Sequence, residues 1–93
     1  MQDDLKIDNN LLIDTSDLLK KNDLTLSMAE SCTGGFLSSC FTSLTGSSLF
    51  FKGSIISYSN ETKCRFLDID NKFIEKHDVV SKEIVERMAI GAR

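Results

Sequence analysis

The stretch S-M-A-E-S-C-T-G-G, residues 27–35, sets one carboxylate beside hydroxyls, a thiol and two adjacent glycines. These residue types permit acyl transfer: a side-chain nucleophile, with glycines that let the backbone approach a ligand and present N–H groups to an oxyanion. Glu30 is the only formally charged side chain across residues 24–51, bracketed by Asp23 and Lys52. Ser31 as nucleophile requires a base, because a hydroxyl is almost fully protonated at neutral pH. The one histidine, His77, lies far downstream among Glu75, Lys76 and Asp78, and a Ser-His-Asp triad built on it has little support. Lys63, which follows Tyr58 in Y-S-N-E-T-K, is a better partner. Desolvation or a cationic neighbour can bring a lysine toward the neutral form that accepts a proton, and the nearly uncharged segment 24–51 offers a dry wall. The constellation is Ser31, Lys63 and Tyr58.

Each of these residues also has a purely structural reading. Ser31, Thr33, Gly34 and Gly35 fit a helix N-cap and a tight turn. Lys63 fits a solvated side chain on a short helix, and Tyr58 a core aromatic with its hydroxyl at the surface. Glu30 suits the positive end of a helix dipole. Cys32 lacks a nearby base, and with Cys40 and Cys64 it makes an odd count whose gaps match no CxxC pair. Free thiols are expected, rather than a disulfide framework or a zinc site. Gly46-Ser47-Ser48 lacks the Walker spacing and is weak as a phosphate loop.

The elements that must position these residues follow from periodicity. Leu11, Leu12, Leu18 and Leu19, with Thr15 between them, predict a helix over 9–21 with those leucines as its buried face. Residues 24–29 read as a buried strand, and Phe36, Leu37, Cys40, Phe41 and Leu44 predict a helix over 33–44, so Ser31 falls at a strand-to-helix turn. Residues 53–58 read as a second strand that ends at Tyr58. Ser59 or Asn60 can cap a helix over 61–66, Asp70 a short one through Phe73 and Ile74, and Ser81 a last one. That last helix carries Glu83 in its first turn and an apolar face of Ile84, Val85, Met88, Ala89 and Ala92. The pattern is α/β, with a βαβ crossover whose parallel strands end at one edge, the edge at which open α/β sheets bind ligands. Two strands rarely make a stable parallel sheet alone, which points to a domain completed elsewhere.

Composition narrows the function classes. With 93 residues and 41% of them hydrophobic, the chain has room for one small core and one domain. A net charge of -3 and the lack of any basic run longer than Lys20-Lys21 argue against nucleic-acid binding. No stretch approaches a membrane span, and the start, with Asp3, Asp4 and Asp8, lacks the basic and apolar regions of a signal peptide, so a cytoplasmic location is expected.

A-E-S-C-T-G-G (29–35), G-S-S (46–48), Y-S-N-E-T-K (58–63) and V-S-K-E-I-V-E-R-M-A-I-G-A-R (80–93) stand in an order and at spacings that resemble the C-terminal domain of CinA, the competence/damage-inducible protein family, also found as the stand-alone PncC enzyme. The likeness implies a three-layer α/β/α fold, with residues 1–93 as its βαβ-containing N-terminal half and the sheet incomplete. It implies hydrolysis of nicotinamide mononucleotide to nicotinate mononucleotide and ammonia, without metal or cofactor. By the same resemblance Ser31 is the nucleophile, Lys63 its activator and Tyr58 a hydrogen-bonding partner. Thr33, Gly34 and Gly35 line the turn with N–H groups for the oxyanion, Ser47 and Ser48 contact the nucleotide, and Glu30 orients the lysine, the turn or the substrate. The chain departs from the family at Asp78, where relatives usually have glycine, and at Val79, which replaces a small residue. It also departs in length, since relatives continue after G-A-R with further strands and a T-G-x-A-G-P loop. Two readings follow: a half enzyme completed by a homo-oligomer or by a separate C-terminal half chain, or an inactive remnant serving as an interaction module.

Overall fold

The structure, a computed structural model, describes residues 6–93; Asp3 and Asp4 lie outside the described residues. Helix α1 (Asn9–Lys21) begins where the Asp8 carboxylate accepts the Leu11 N–H and ends at Asn22. It buries Leu12 and Ser16, while Leu11 and Leu18 are exposed, which corrects the expected face. Tandem leucines offer two adjacent stripes to a helix, and the packing of Leu12 with Phe41 and Phe50 selects one of them.

Strand β1 (Leu26–Glu30) leads through a turn into α2 (Phe36–Thr42). This helix starts later than the pattern predicts, because Gly34 at φ +68° and Gly35 at φ +111° hold left-handed conformations that no right-handed helix contains. A 3-10 turn (Ser47–Leu49) then delivers the chain to β2 (Phe51–Ile56). This strand begins and ends two residues earlier than expected. Its register is set by pairing with β1, Leu26 opposite Phe51 and Glu30 opposite Ile56, and Ser57 closes the ladder by donating to the Glu30 carbonyl at 2.8 Å.

Three capped helices follow, as the sequence predicts. Ser59 and Thr62 form a reciprocal capping box on α3 (Asn60–Leu67), the Asp70 carboxylate caps α4 (Asn71–His77), and the Ser81 hydroxyl caps α5 (Lys82–Ala92). Within α5, Ile84 and Met88 are buried while Val85 and Ala89 are exposed, so the core takes only part of the predicted apolar face.

The two strands are parallel, and helices cover both faces of the pair. On one side Leu26 and Met28 join Leu12, Phe41 and Phe50; on the other Ala29 and Ile55 join Leu67, Ile69, Ile74, Ile84 and Met88. The fold is therefore the α/β arrangement that the sequence predicts. Among the described residues no helix is long and apolar enough to cross a membrane.

Candidate active site

Ser31 is the first residue beyond β1, and Lys63 lies one turn into α3. The parallel pairing brings the exit of β1 and the start of α3 to one edge of the sheet, and the two side chains meet there: Lys63 Nζ donates to Ser31 Oγ at 3.2 Å. The same nitrogen donates to the Ser57 carbonyl at 2.8 Å and lies 3.4 Å from the Tyr58 carbonyl. Both carbonyls lie just past the end of β2 at Ile56. Lys63 is 1% exposed, and among the described residues no carboxylate stands within ion-pair distance of it. Burying a lysine without an acid is costly, so its partners here are oxygens alone, one of them a hydroxyl suited to nucleophilic attack.

Glu30 points the other way. Its carboxylate is buried and accepts from the Leu37 N–H at 2.9 Å, the Ser38 N–H at 2.8 Å, the Thr33 hydroxyl at 2.8 Å and the Ser38 hydroxyl. Burial pushes the carboxyl upward, but the bonds from Ser38, Thr33 and Leu37 together outweigh it and hold Glu30 below its ordinary range. Glu30 thus closes the turn between β1 and α2, satisfying N–H groups that a helix start otherwise leaves unpaired. It does not touch Lys63.

The other predicted residues divide. Thr33 is committed to Glu30, and the Gly34 N–H donates to the Ser31 carbonyl at 3.1 Å, so neither that group nor the N–H groups of Leu37 and Ser38 are directed at a substrate. Gly35 is required by space as well as by φ, since a Cβ there would lie 2.8 Å from Ile56 Cδ1. Tyr58 is 74% exposed and stands at the rim of a cavity of about 700 Å³ whose walls also include Glu30, Ser31 and Lys63. Ser47 and Ser48 sit in the 3-10 turn and do not line this cavity, and His77 packs on Phe73 with 4.3 Å between ring centres. Cys32 is exposed beside Ser31, and all three cysteines are free.

Two residues escaped the sequence reading. Ser38 clamps Glu30; the signal for it was a hydroxyl in the first turn of the helix that follows the lone acid. Ser57 supplies the carbonyl that holds Lys63, and its own hydroxyl is fully buried with no partner among the described residues. A main-chain acceptor leaves no mark on residue type, so Ser57 had no signal.

The sequence signature of the CinA C-terminal domain matches residues 8–93. CinA-like proteins of Petrotoga mobilis and Fervidobacterium nodosum are 50% identical over 84 residues and 51% identical over 77, covering 90% and 83% of this chain but 21% and 19% of theirs. The solved CinA superfamily protein of Enterobacter cloacae superposes on all of this chain with TM-score 0.87 at 28% identity, and 58% of that protein is covered. The competence damage-inducible protein A of Klebsiella pneumoniae superposes on 90% of this chain with TM-score 0.86 at 26% identity, and 52% of it is covered. The chain thus spans about a fifth of these curated relatives and little more than half of the solved ones. On the matched residues and the shared fold, it belongs to the CinA C-terminal domain family.

Proposed function

We propose that this chain is the nucleophile-bearing part of an amidohydrolase acting on nicotinamide mononucleotide, and that residues 1–93 form one part of a domain that works with a complementary part. The observation that carries the reading is the buried, acid-free Lys63 held against Ser31 Oγ at 3.2 Å. A buried lysine without a counter-charge, set against a hydroxyl in a cavity, is the arrangement of a catalytic base beside its nucleophile. The substrate is taken from the family resemblance.

In this mechanism Ser31 Oγ adds to the carboxamide carbon while its proton passes to Nζ of Lys63, an unprotonated amine at that step. The tetrahedral intermediate collapses with cleavage of the C–N bond, and Lys63 returns the proton to the departing nitrogen, which leaves as ammonia. Water then attacks the Ser31 ester and loses a proton to the same amine, which passes it to Ser31 Oγ as nicotinate mononucleotide departs. Tyr58, at the rim, hydrogen-bonds the bound nucleotide. Glu30 and Thr33 keep the turn rigid, so that Ser31 is presented without reorganisation. Among the described residues Lys63 is the one basic side chain lining the cavity, and it is engaged with three oxygens. In this reading the 5′-phosphate takes its contacts from the complementary part.

Ammonia release from nicotinamide mononucleotide, measured with the chain alone and with the rest of a CinA C-terminal domain added, tests this. Turnover is expected in the mixture only, with Ser31→Ala abolishing it and Lys63→Met lowering it by about 10²- to 10⁴-fold. No release in either setting, with the circular dichroism of a folded chain, would overturn the proposal and leave an interaction module without turnover.

A further inference from the structure

The Ser57 hydroxyl is the one buried side-chain oxygen among the described residues that has no hydrogen-bond partner, on a residue with no exposed surface. Leaving a buried hydroxyl unpaired is unfavourable, and such a group calls for a partner in some state of the molecule. Its place in the fold singles out that state. Ala29 and Ile55 stand opposite each other in the parallel pair and pack against the same cluster, that of Leu67, Ile84 and Met88. Successive strand residues alternate between faces, so two residues further on Ser31 and Ser57 return to that face. The ladder extends as far as Ser57, whose N–H donates to the Glu30 carbonyl at 2.8 Å. The Ser57 carbonyl in turn accepts from Lys63 Nζ at 2.8 Å, and the same Nζ reaches Ser31 Oγ at 3.2 Å. The unpaired hydroxyl thus belongs to the residue that ties the exit of β1 to Lys63.

We propose, resting on the hydrolase reading of Ser31 as nucleophile and Lys63 as base, that Ser57 is a positioning residue for Lys63. Its hydroxyl accepts the third N–H of the ammonium once Ser31 Oγ is taken up in a covalent bond. As a neutral amine Lys63 has two N–H groups, for which the Ser57 and Tyr58 carbonyls at 2.8 and 3.4 Å suffice, and its lone pair is left for the Ser31 hydroxyl. As an ammonium it has three donors and no acceptor. In the resting site Ser31 Oγ takes the third. In the tetrahedral intermediate that oxygen is bonded to two carbons and is a poorer acceptor, while the proton it gave up has just made Lys63 an ammonium. A donor of a buried cation is then short of a partner, which is costly in a site that holds no counter-charge among the described residues. A turn about one side-chain bond brings a lone pair of the Ser57 hydroxyl to it. The hydroxyl is unpaired before the proton moves and paired afterwards, so it favours the intermediate over the resting site, the condition for a group to speed the step.

An alkyl fluorophosphonate isolates this step without nicotinamide mononucleotide. Ser31 Oγ bonds to phosphorus, the P–F bond breaks, fluoride leaves as an anion, and the Oγ proton passes to Nζ and stays there. Labelling of the full chain is followed by intact mass, with the label mapped to Ser31 and Ser31→Ala as the blank. Ser57→Ala is expected to label about tenfold or more slowly than the parent, the effect of one lost bond to a charged donor. Its thermal midpoint should stay level or rise, because the hydroxyl removed was unpaired. Ser57→Thr, which keeps a hydroxyl, should label at close to the parent's rate, whereas a merely structural serine would move rate and midpoint down together. Three results would overturn the inference: Ser57→Ala labelling as fast as the parent, a lower midpoint in Ser57→Ala that accounts for its slower labelling, or no labelling of Ser31 in the parent. Ammonia release from nicotinamide mononucleotide by the chain with its complementary part is measured alongside. Undiminished labelling of Ser57→Ala, together with ammonia release that Ser31→Ala abolishes, strikes the role of Ser57 and leaves the hydrolase. Slowed labelling without ammonia from any mixture strikes the substrate and leaves the role of Ser57.

Discussion

Glu30 directs its charge inward, and its value to the protein is a matter of stability before it is one of chemistry. Four donors converge on a buried carboxylate, and bonds to a charged acceptor contribute roughly 1.5–3 kcal/mol each at most, with the sum reduced by desolvation. Glu30→Gln replaces one acceptor oxygen by an NH₂ group facing donors, and should destabilise the chain by about 2–3 kcal/mol in urea denaturation. The pH dependence follows from the lowered pKa of Glu30. A depressed carboxylate contributes stability that is fully present above the ordinary value of 4.5 and is lost as pH falls through its lower native value. The difference in urea midpoint between parent and Glu30→Gln should accordingly be constant from neutrality down to about 4.5 and shrink between there and the lower native value. The sequence made Glu30 conspicuous as an isolated charge, but which way it turns was not legible. That depends on Ser38 and on where α2 begins, and the positive φ of Gly34 and Gly35 moves that start. Ser31 and Lys63 were legible as a pair because both follow parallel strands, so topology alone brings them to one edge.

The starts of α3, α4 and α5 were readable from local chemistry, whereas the bounds of α2 and of the strands were not. Ser59, Asp70 and Ser81 cap their helices through side chains that act within three residues, so residue type and position suffice. The bounds of β2 depend on its register with β1 and on the pull of Lys63 on the Ser57 carbonyl, interactions remote in sequence. Two element-scale predictions follow from backbone geometry. Asp78, in the link between α4 and α5, holds φ +63° and ψ 142°, a conformation that favours glycine. Such strain costs on the order of 1–3 kcal/mol, so Asp78→Gly should raise the thermal midpoint, with the gain offset in part by glycine's extra entropy in the unfolded chain. Gly91 has ordinary φ but no room: a Cβ there would collide with the main chain of Leu67 at the end of α3. Gly91→Ala should therefore force α5 away from α3 and destabilise the chain by about 1–3 kcal/mol, despite alanine's better helix propensity. A thermal midpoint at or above that of the parent would show that the close approach of α3 and α5 is dispensable.

At the scale of the whole molecule, a small core is divided between the two faces of a two-stranded sheet. Among the described residues eight buried hydrophobic side chains form two clusters, Leu12, Phe41 and Phe50 on one side and the five that include Ile84 and Met88 on the other. Neither cluster can exclude water from the free edge of β1, where Leu37, Val79, Val80 and Val85 stay exposed. The radius of gyration, 14.3 Å, exceeds the value near 12 Å expected for a compact domain of this length. Stability should then depend on association by mass action: a partner that binds only the folded chain stabilises it by about 2.7 kcal/mol when present at a hundred times its dissociation constant. Thermal unfolding of the chain at increasing concentrations of a fragment holding the complementary part should show a midpoint that rises continuously, without the plateau of a covalent modification. In a Val80→Asp, Val85→Glu double variant the midpoint without fragment should stay close to the parent's, because both side chains are already exposed, and the increment on adding fragment should largely vanish. A midpoint indifferent to the fragment in the parent chain would mean that the two small clusters suffice by themselves, and that the open edge of β1 carries no share of the folding free energy.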